Sequence, residues 1–275
     1  MFDLHVHSIF SDGVLTPEEI AKSVKSENLK GFALTDHDSI MGHERAAKAA
    51  SELDLEFLPG VEISAIYGPI EIHILGYGLD TSNGKLIEHL KESAAYRFER
   101  VKLIINKLAS MGYNLPEDEV VGYATDTIGR PHLARAMVNH NIVEKVSQAF
   151  NEFLGKNCPA YVPPFGFEAS HAIEIIKSFG GTPVLAHPGY LMAEEDWVDG
   201  PFMKKFVDWG IEGIEVYHLR HDEEKRDFYF KEAQKYDLLI TGGSDFHNPE
   251  GPKVGSVRVG QEEYGKLLAA IGNNK

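Results

Sequence analysis

The chain has 275 residues, with 27 Lys and Arg against 42 Asp and Glu, a formal net charge of −15, 43% hydrophobic residues, 26 Gly, 13 His and one Cys. This composition excludes collagen, disordered tails and disulfide scaffolds, and the length suffices to bury one large core or two unequal ones. Because an acidic chain repels polyanions on average, it does not coat long nucleic acid, and any phosphate ligand needs a local positive site.

The first strand pattern runs from Phe2 to His7 with no basic or apolar leader before it, so no export signal is expected. Cys158 has no disulfide partner, and no apolar run approaches the roughly 18 residues of a membrane span. The expected location is cytoplasmic, with no membrane partner. Thr16, Pro17 and Glu19 then supply an N-cap, a first-turn proline and a capping-box acid, so a helix starts there. The loop before it, Ser8 to Leu15, is about eight residues long, against the usual two to six, and long βα loops tend to be functional.

Further strand patterns cover Gly31 to Thr35, Glu56 to Ile63, Glu71 to Leu75, Pro183 to His187, Ile211 to Tyr217 and Leu238 to Thr241. Strands alternating with helical periods predict an α/β fold with a parallel sheet. Between Asn83 and Gly155 the alternation stops and consecutive helical patterns appear. The first is marked by Leu86, Leu90, Ala94, Phe98, Val101, Ile105 and Leu108, with Gly112 after the last turn as a C-terminal cap. The expected division is a discontinuous barrel domain, residues 1–82 and 156–275, and a helical insertion domain, residues 83–155.

A His-x-His pair arises by chance about 0.6 times in such a chain, so His5 and His7 carry weight only through their position. Residues two apart on a strand face the same side, which lets both imidazoles address one centre. Asp12 follows in the first loop, Asp36 and His37 end the second strand, Glu62 ends the third, and His73 lies on the fourth. His187, Glu215 with His218, and Asp245 with His247 close the last three. In a barrel of parallel strands the carboxyl ends open onto one face, where these groups would meet. His43, His89, His140, His171 and His221 fall on helical patterns away from strand ends and are expected at the solvated surface.

Nine groups are metal-ligand candidates: His5, His7, Asp12, His37, Glu62, His73, His187, Asp245 and His247. Nine donors exceed one ion's needs, and two or three cations share them if Glu62 bridges. Three divalent ions with three carboxylates and neutral imidazoles leave a net charge of about +3, a sink for phosphate in an acidic protein. Imidazole and carboxylate without thiolate suits Mn, Zn or Fe better than Mg or Ca. Asp36 and Glu215 are expected behind the ligands, orienting imidazoles.

With these residues in hand the chain resembles the PHP family of polymerase and histidinol phosphatase metal-dependent phosphoesterases. The matching segments are Asp3-Leu4-His5-Val6-His7-Ser8 with Ser11-Asp12-Gly13, Thr35-Asp36-His37-Asp38, Gly60-Val61-Glu62, Ala186-His187-Pro188 and Ser244-Asp245-Phe246-His247. The resemblance implies a distorted (β/α)7 barrel and a trinuclear centre. Carried over by position, His5, His7, Glu62 and Asp245 would hold one ion, Asp12, His37 and His247 a second, and Glu62, His73 and His187 a third. Within the family the chain is most similar to the nucleotide phosphoesterases, which include 3',5'-nucleoside bisphosphate phosphatases and a 5'-to-3' exoribonuclease. Histidinol phosphatases usually place a histidine where this chain has Asp12. The helical insertion and Gly129-Arg130-Pro131-His132 also fit the nucleotide branch.

On the substrate side, Arg130 precedes Pro131 at a predicted helix start, so its guanidinium and free helix N–H groups would face one anion. Arg97 and Arg100, three apart on the long insertion helix, suit a second phosphate if that face overhangs the ions. His132 and His218 are further candidates for binding phosphate or donating a proton. The expected reaction is hydrolysis of a phosphomonoester of a small nucleotide by a hydroxide bridging two ions, with Asp12, His187 and Arg130 catalytic. The expected substrate is a nucleoside 3',5'-bisphosphate losing its 3'-phosphate. The competing readings are exoribonuclease action on short RNA, an amidohydrolase, and a metal-binding module without activity.

Overall fold

All seven expected strands form, each a short run bounded by turn residues. In the computed structural model, which describes residues 1–192 and 200–274, they are β1 (Phe2–Asp3), β2 (Gly31–Leu34), β3 (Glu56–Tyr67), β4 (Ile70–Tyr77), β5 (Thr182–Leu185), β6 (Gly213–Tyr217) and β7 (Leu239–Gly242). They pair in sequence order in one sheet. The sheet curls until its ends meet, with the Leu4 N–H donating to Gly242 O at 3.3 Å and the Asp245 N–H to His5 O at 2.9 Å. A nearly closed, distorted (β/α)7 barrel results.

The alternation of elements predicts a parallel sheet, but the sheet is mixed. β4 runs antiparallel to both β3 and β5, because Gly68, with φ +58°, and Pro69 close a tight hairpin between Tyr67 and Ile70. β3 therefore continues five residues beyond Glu62, which lies within its strand rather than at its end, while His73 lies on β4 as expected. β1 is shorter than expected, since Leu4 to His7 leave the ladder except for a bridge between Val6 and Phe246.

Helices α1 (Pro17–Ser26) and α2 (His43–Glu52) pack against β2 through Ile20, Val24, Phe32, Leu34, Ala46 and Ala50. The capping box forms as expected: the Glu19 N–H donates to Thr16 Oγ1 at 3.3 Å, and the Thr16 N–H to Glu19 Oε2 at 2.8 Å. Next come α3 (Gly84–Ser110), α4 (Glu117–Gly122), α5 (Arg130–Asn139), α6 (Val146–Ala149) and a π-helical turn, Phe150–Leu154. The C-terminal end of α3 is closed by Gly112 at φ +91°, with the Gly112 N–H on Ala109 O and the Tyr113 N–H on Leu108 O.

Leu86 and Leu90 of α3 pack into the core that covers β3 to β6, together with α7 (Ala169–Ser178), α9 (Gly200–Asp208) and α10 (Glu223–Tyr236). Val101, Ile104, Ile105 and Leu108, further along the same helix, belong to a separate core with Leu133, Met137 and Phe153. The barrel floor is sealed by α11 (Gln261–Asn273), whose Tyr264 stacks on Phe2 at 3.8 Å between ring centroids. A short helix, α8 (Gly189–Met192), follows β5. Among the described residues no helix is long and apolar enough to cross a membrane.

Candidate metal centre

His5 and His7 follow β1 with the two-residue spacing that turns both rings inward, and their Nε2 atoms lie 3.1 Å apart. Two such nitrogens approach this closely when their lone pairs share a cation, because ligands about 2.1 Å from one ion are about 3 Å from each other. Hydrogen bonds at the far side of each ring fix this tautomer. The His5 Nδ1–H donates to Glu215 Oε1 at 3.1 Å and the His7 Nδ1–H to Ser11 Oγ at 3.4 Å. His247 is held alike, its Nδ1–H donating to the Asp245 carbonyl at 2.8 Å. All three Nε2 lone pairs consequently face the interior.

The donors converge in three groups: His5, His7, Glu62 and Asp245; His7, Asp12, His37 and His247; and His37, Glu62 and His73. His187 joins the third through Nε2, 2.9 Å from Glu62 Oε1. Its backbone is held in the left-handed region, φ +25°, as is that of Asp245, φ +52°. Such conformations persist where the surroundings impose them. For His187 the restraint includes its N–H, which donates to Glu215 Oε2 at 2.7 Å.

Charge and burial oppose each other here. Burial pushes Glu62 up, but the imidazoles of His37, His5 and His73 outweigh it and hold its carboxyl well below the usual range. Asp12, against His247 and His37, and Asp245, against His5 and His247, are likewise held well below despite burial. Burial pulls His247 down, yet Asp12 and Asp245 lift it to about 10. A buried pocket that nevertheless keeps its carboxylates ionised is one that attracts cations.

The residues fit divalent ions on an independent count. Among the described residues, Asp12 Oδ1, Glu62 Oε2, His37 Nδ1 and both ring nitrogens of His73 are buried without a hydrogen-bond partner. Glu62 Oε2 lies 3.1 Å from His7 Nε2 and 3.2 Å from His37 Nδ1, yet neither approach is angled as a hydrogen bond. Orphaned acceptors aimed at shared points are what hard or borderline cations satisfy.

Of the two acids expected behind the donors, Glu215 orients His5 directly. Asp36 instead accepts the Ser8 N–H at 2.7 Å, the Ser8 hydroxyl at 2.6 Å and the Ser11 hydroxyl at 2.7 Å. It braces the first loop and reaches His7 only through Ser11, because the serines lie between them.

The arginines gather beside this centre around a residue the sequence reading passed over. Glu71, on β4, takes Arg100 Nη1 at 2.7 Å and Arg130 Nη2 at 3.0 Å on its two oxygens. Arg97 donates to Ile128 O at 3.0 Å and Ser64 Oγ at 2.7 Å, lying against Gly129, where a Cβ would come within 2.6 Å of its Nη2. Arg97, Arg100 and Arg130 line a cavity of about 110 Å³ with Asp12, His37 and His73, so this helix face does overhang the centre. Arg100 is not a free surface charge: it is buried and also donates to Val162 O at 3.1 Å.

The two further candidate histidines are both held by backbone hydrogen bonds. His132 is buried and caps α5, its Nδ1 accepting the Gly129 N–H at 3.0 Å, so that N–H is not available to an anion. Burial holds it down to about 4, hence neutral. His218 accepts the Arg220 N–H on Nδ1 at 3.1 Å, which leaves its Nε2–H to face Asp245 Oδ2 at 3.5 Å. Of the five histidines expected in solvent, His43 and His221 are buried. His43 donates to Gly60 O at 2.7 Å, and His221 bonds Val216 O and the Gly189 N–H, both at 2.9 Å. A buried imidazole is stable when both nitrogens or its surroundings satisfy it, and helical periodicity does not report that.

A larger cavity, about 340 Å³, joins the centre to the arginine side. Its lining includes the donors His37, Glu62, His73, His187, Asp245 and His247 and also Glu71, Arg130, Phe150, Tyr161 and Tyr190.

Comparison with known proteins agrees with this geometry. The PHP domain family matches residues 3–157. A 5'-3' exoribonuclease of Haemophilus influenzae is 34% identical over 91% of this chain and 91% of its own. A 3',5'-nucleoside bisphosphate phosphatase of Chromobacterium violaceum is 32% identical over 90% of this chain and 87% of its own. A solved structure from Bifidobacterium adolescentis, described as a candidate metal-dependent phosphoesterase, superposes with a TM-score of 0.91 at 29% identity, covering 98% of this chain and 96% of that one. On its motifs, its barrel and these relatives, the chain belongs to the PHP family and is a metal-dependent phosphoesterase.

Proposed function

We propose that this enzyme removes a phosphoryl group from a small nucleotide, with the 3'-phosphate of a nucleoside 3',5'-bisphosphate as the favoured substrate group. The observation that carries this reading is the cavity of about 340 Å³, whose lining includes both the cation donors and Arg130. Such a space suits a small molecule bearing two anionic groups, with Phe150, Tyr161 and Tyr190 offering ring surface between them.

We assign one ion to His5, His7, Glu62 and Asp245, a second to Asp12, His37 and His247, and a third to Glu62, His73 and His187, with Mn, Zn or Fe as the metal. When bound, such ions supply Lewis acidity toward phosphoryl oxygens and acidify water. The protein's own part is orientation. Arg130 binds the remote phosphate, held in place by Glu71. Arg97 and Arg100 keep positive potential over the donors, and the His218 Nε2–H steadies Asp245. Asp12 and His187 present their donor atoms from loops fixed by backbone contacts.

Removal of nucleotides from the 5' end of short RNA is the second reading, supported by the name of the Haemophilus relative. It needs the same centre and a remote phosphate site, with a nucleotide chain as leaving group. The deciding experiment incubates the metal-loaded chain with 3',5'-bisphosphonucleosides, AMP, histidinol phosphate and 5'-phosphorylated short RNA side by side. Fastest release of inorganic phosphate from the bisphosphate is the expected result. Shortening of RNA without bisphosphate turnover establishes the second reading instead.

A further inference from the structure

The loop between α4 and α5, together with α5, does more than carry Arg130. It grips, through backbone atoms, both barrel loops that present the donors of a single group. Thr127 is buried; its hydroxyl donates to the carbonyl of His37 at 2.8 Å, and its own N–H donates to the carbonyl of Phe10 at 3.2 Å. Arg135 on α5 donates from Nη2 to the carbonyl of Asp12 at 2.9 Å and from Nε to Pro131 O at 3.4 Å. The Ser39 hydroxyl, two residues past His37, donates to Asp126. The first loop then passes the restraint on, since the Val14 N–H donates to the carbonyl of His247 at 2.9 Å.

Asp12, His37 and His247, with His7, form one donor group. Among the described residues, no hydrogen bond joins residues 126–135 to His5, Glu62 or Asp245: Glu62 lies within β3 and bonds through its backbone to Asp36 and Asp38, and the Asp245 N–H donates to His5 O at 2.9 Å. We propose that Thr127 and Arg135 are positioning residues that set the affinity of the one ion held by Asp12, His37 and His247, leaving the ion at His5, Glu62 and Asp245 independent of them. The inference rests on the assignment of the donors to ions made above. A donor that must be held by another group loses its alignment when that group goes, and outer contacts of this kind commonly govern affinity 10–100-fold. Linkage is reciprocal, so filling that site also fastens residues 126–135 onto the barrel, which places Arg130 over the cavity.

The test uses the full chain, stripped with chelator and titrated with Mn2+, reading stoichiometry and stepwise affinity by calorimetry and by the electron spin resonance of free Mn2+. Thr127→Val keeps the side chain's shape and removes its hydroxyl, Thr127→Ser keeps the hydroxyl, and Arg135→Met keeps the stem and removes the donor. Expected is a loss of at least tenfold in the affinity of one ion in Thr127→Val and in Arg135→Met, no change in the others, and near wild-type loading in Thr127→Ser. Circular dichroism of the metal-free variants checks the fold, and Arg135→Met serves if Thr127→Val misfolds. Wild-type loading in both variants overturns the proposal, and so does equal weakening of every ion or an equal loss in Thr127→Ser. A wild-type chain that takes up no Mn2+ overturns the assignment of the centre itself. That outcome is distinct from a clamp that fails while the wild type loads fully.

Discussion

Glu215 holds His5 by its Nδ1–H at 3.1 Å, and with its other oxygen takes the backbone N–H of His187 at 2.7 Å. One buried carboxylate thus aligns donors from two distant strands. Replacing Glu215 by Gln leaves its volume nearly unchanged, but the amide accepts at one atom only and offers an N–H to a partner that is already a donor. Metal affinity is expected to fall about 10–100-fold, with turnover falling in step until excess metal is supplied. Metal content after gel filtration, measured beside turnover, checks this.

Asp12→Asn and His187→Ala each remove a donor without opening an apolar core. Both are expected to lower turnover by orders of magnitude while the thermal unfolding curve of the metal-free chain barely moves. Wild-type turnover in both variants would refute the assignment of these donors.

Glu71 separates binding from structure. Arg130→Ala removes a guanidinium on the cavity wall and is expected to raise KM by about tenfold or more, with a smaller change in kcat. Glu71→Leu acts on both sides, because Arg100 is then buried without its carboxylate. That loss is expected to cost on the order of 2 kcal/mol in addition to any KM effect. Steady-state kinetics and urea unfolding, run on both variants, distinguish the two contributions.

His221 predicts a pH dependence of stability. Burial holds it at about 4, below its ordinary value of 6.5. A histidine with a folded pKa below its unfolded one binds its proton more readily in the unfolded chain. Its contribution is therefore fully present above about pH 6.5 and is lost as pH falls toward 4. The loss is on the order of 1–3 kcal/mol across that window. His221→Gln retains one donor and one acceptor without a titrating ring. It is expected to flatten the fall in melting temperature between pH 6.5 and 4.5, relative to wild type, by about the share of one proton.

The barrel and its centre were legible in the sequence because strand ends, loop length and histidine position all repeat the same pattern. Thr16, Pro17 and Glu19 located α1, and the HxH spacing turned His5 and His7 to one point. The reversal of β4 had a signal in loop length that the alternation of elements masked: the residues between Ile63 and Glu71 are too few for the crossover of about a dozen that parallel strands need, and Gly68 and Pro69 mark the turn. Glu71 had a signal: it lies two residues before His73 on a strand and so shares its face. His132, His218 and His221 were harder to read. Their roles depend on which backbone groups fold against them, and no spacing along the chain encodes that.

Reversing β4 also determines where the long helix starts. A strand running against its neighbours delivers the chain to the floor of the barrel, where the Asp80 N–H bonds Phe179 O. From there α3, 27 residues and about 40 Å long, climbs the outside of the barrel to bring Arg97 and Arg100 to the mouth. Register along that climb is unforgiving: a single residue added between Leu90 and Arg97 turns both guanidinium groups by about 100° around the axis, away from the donors they now face.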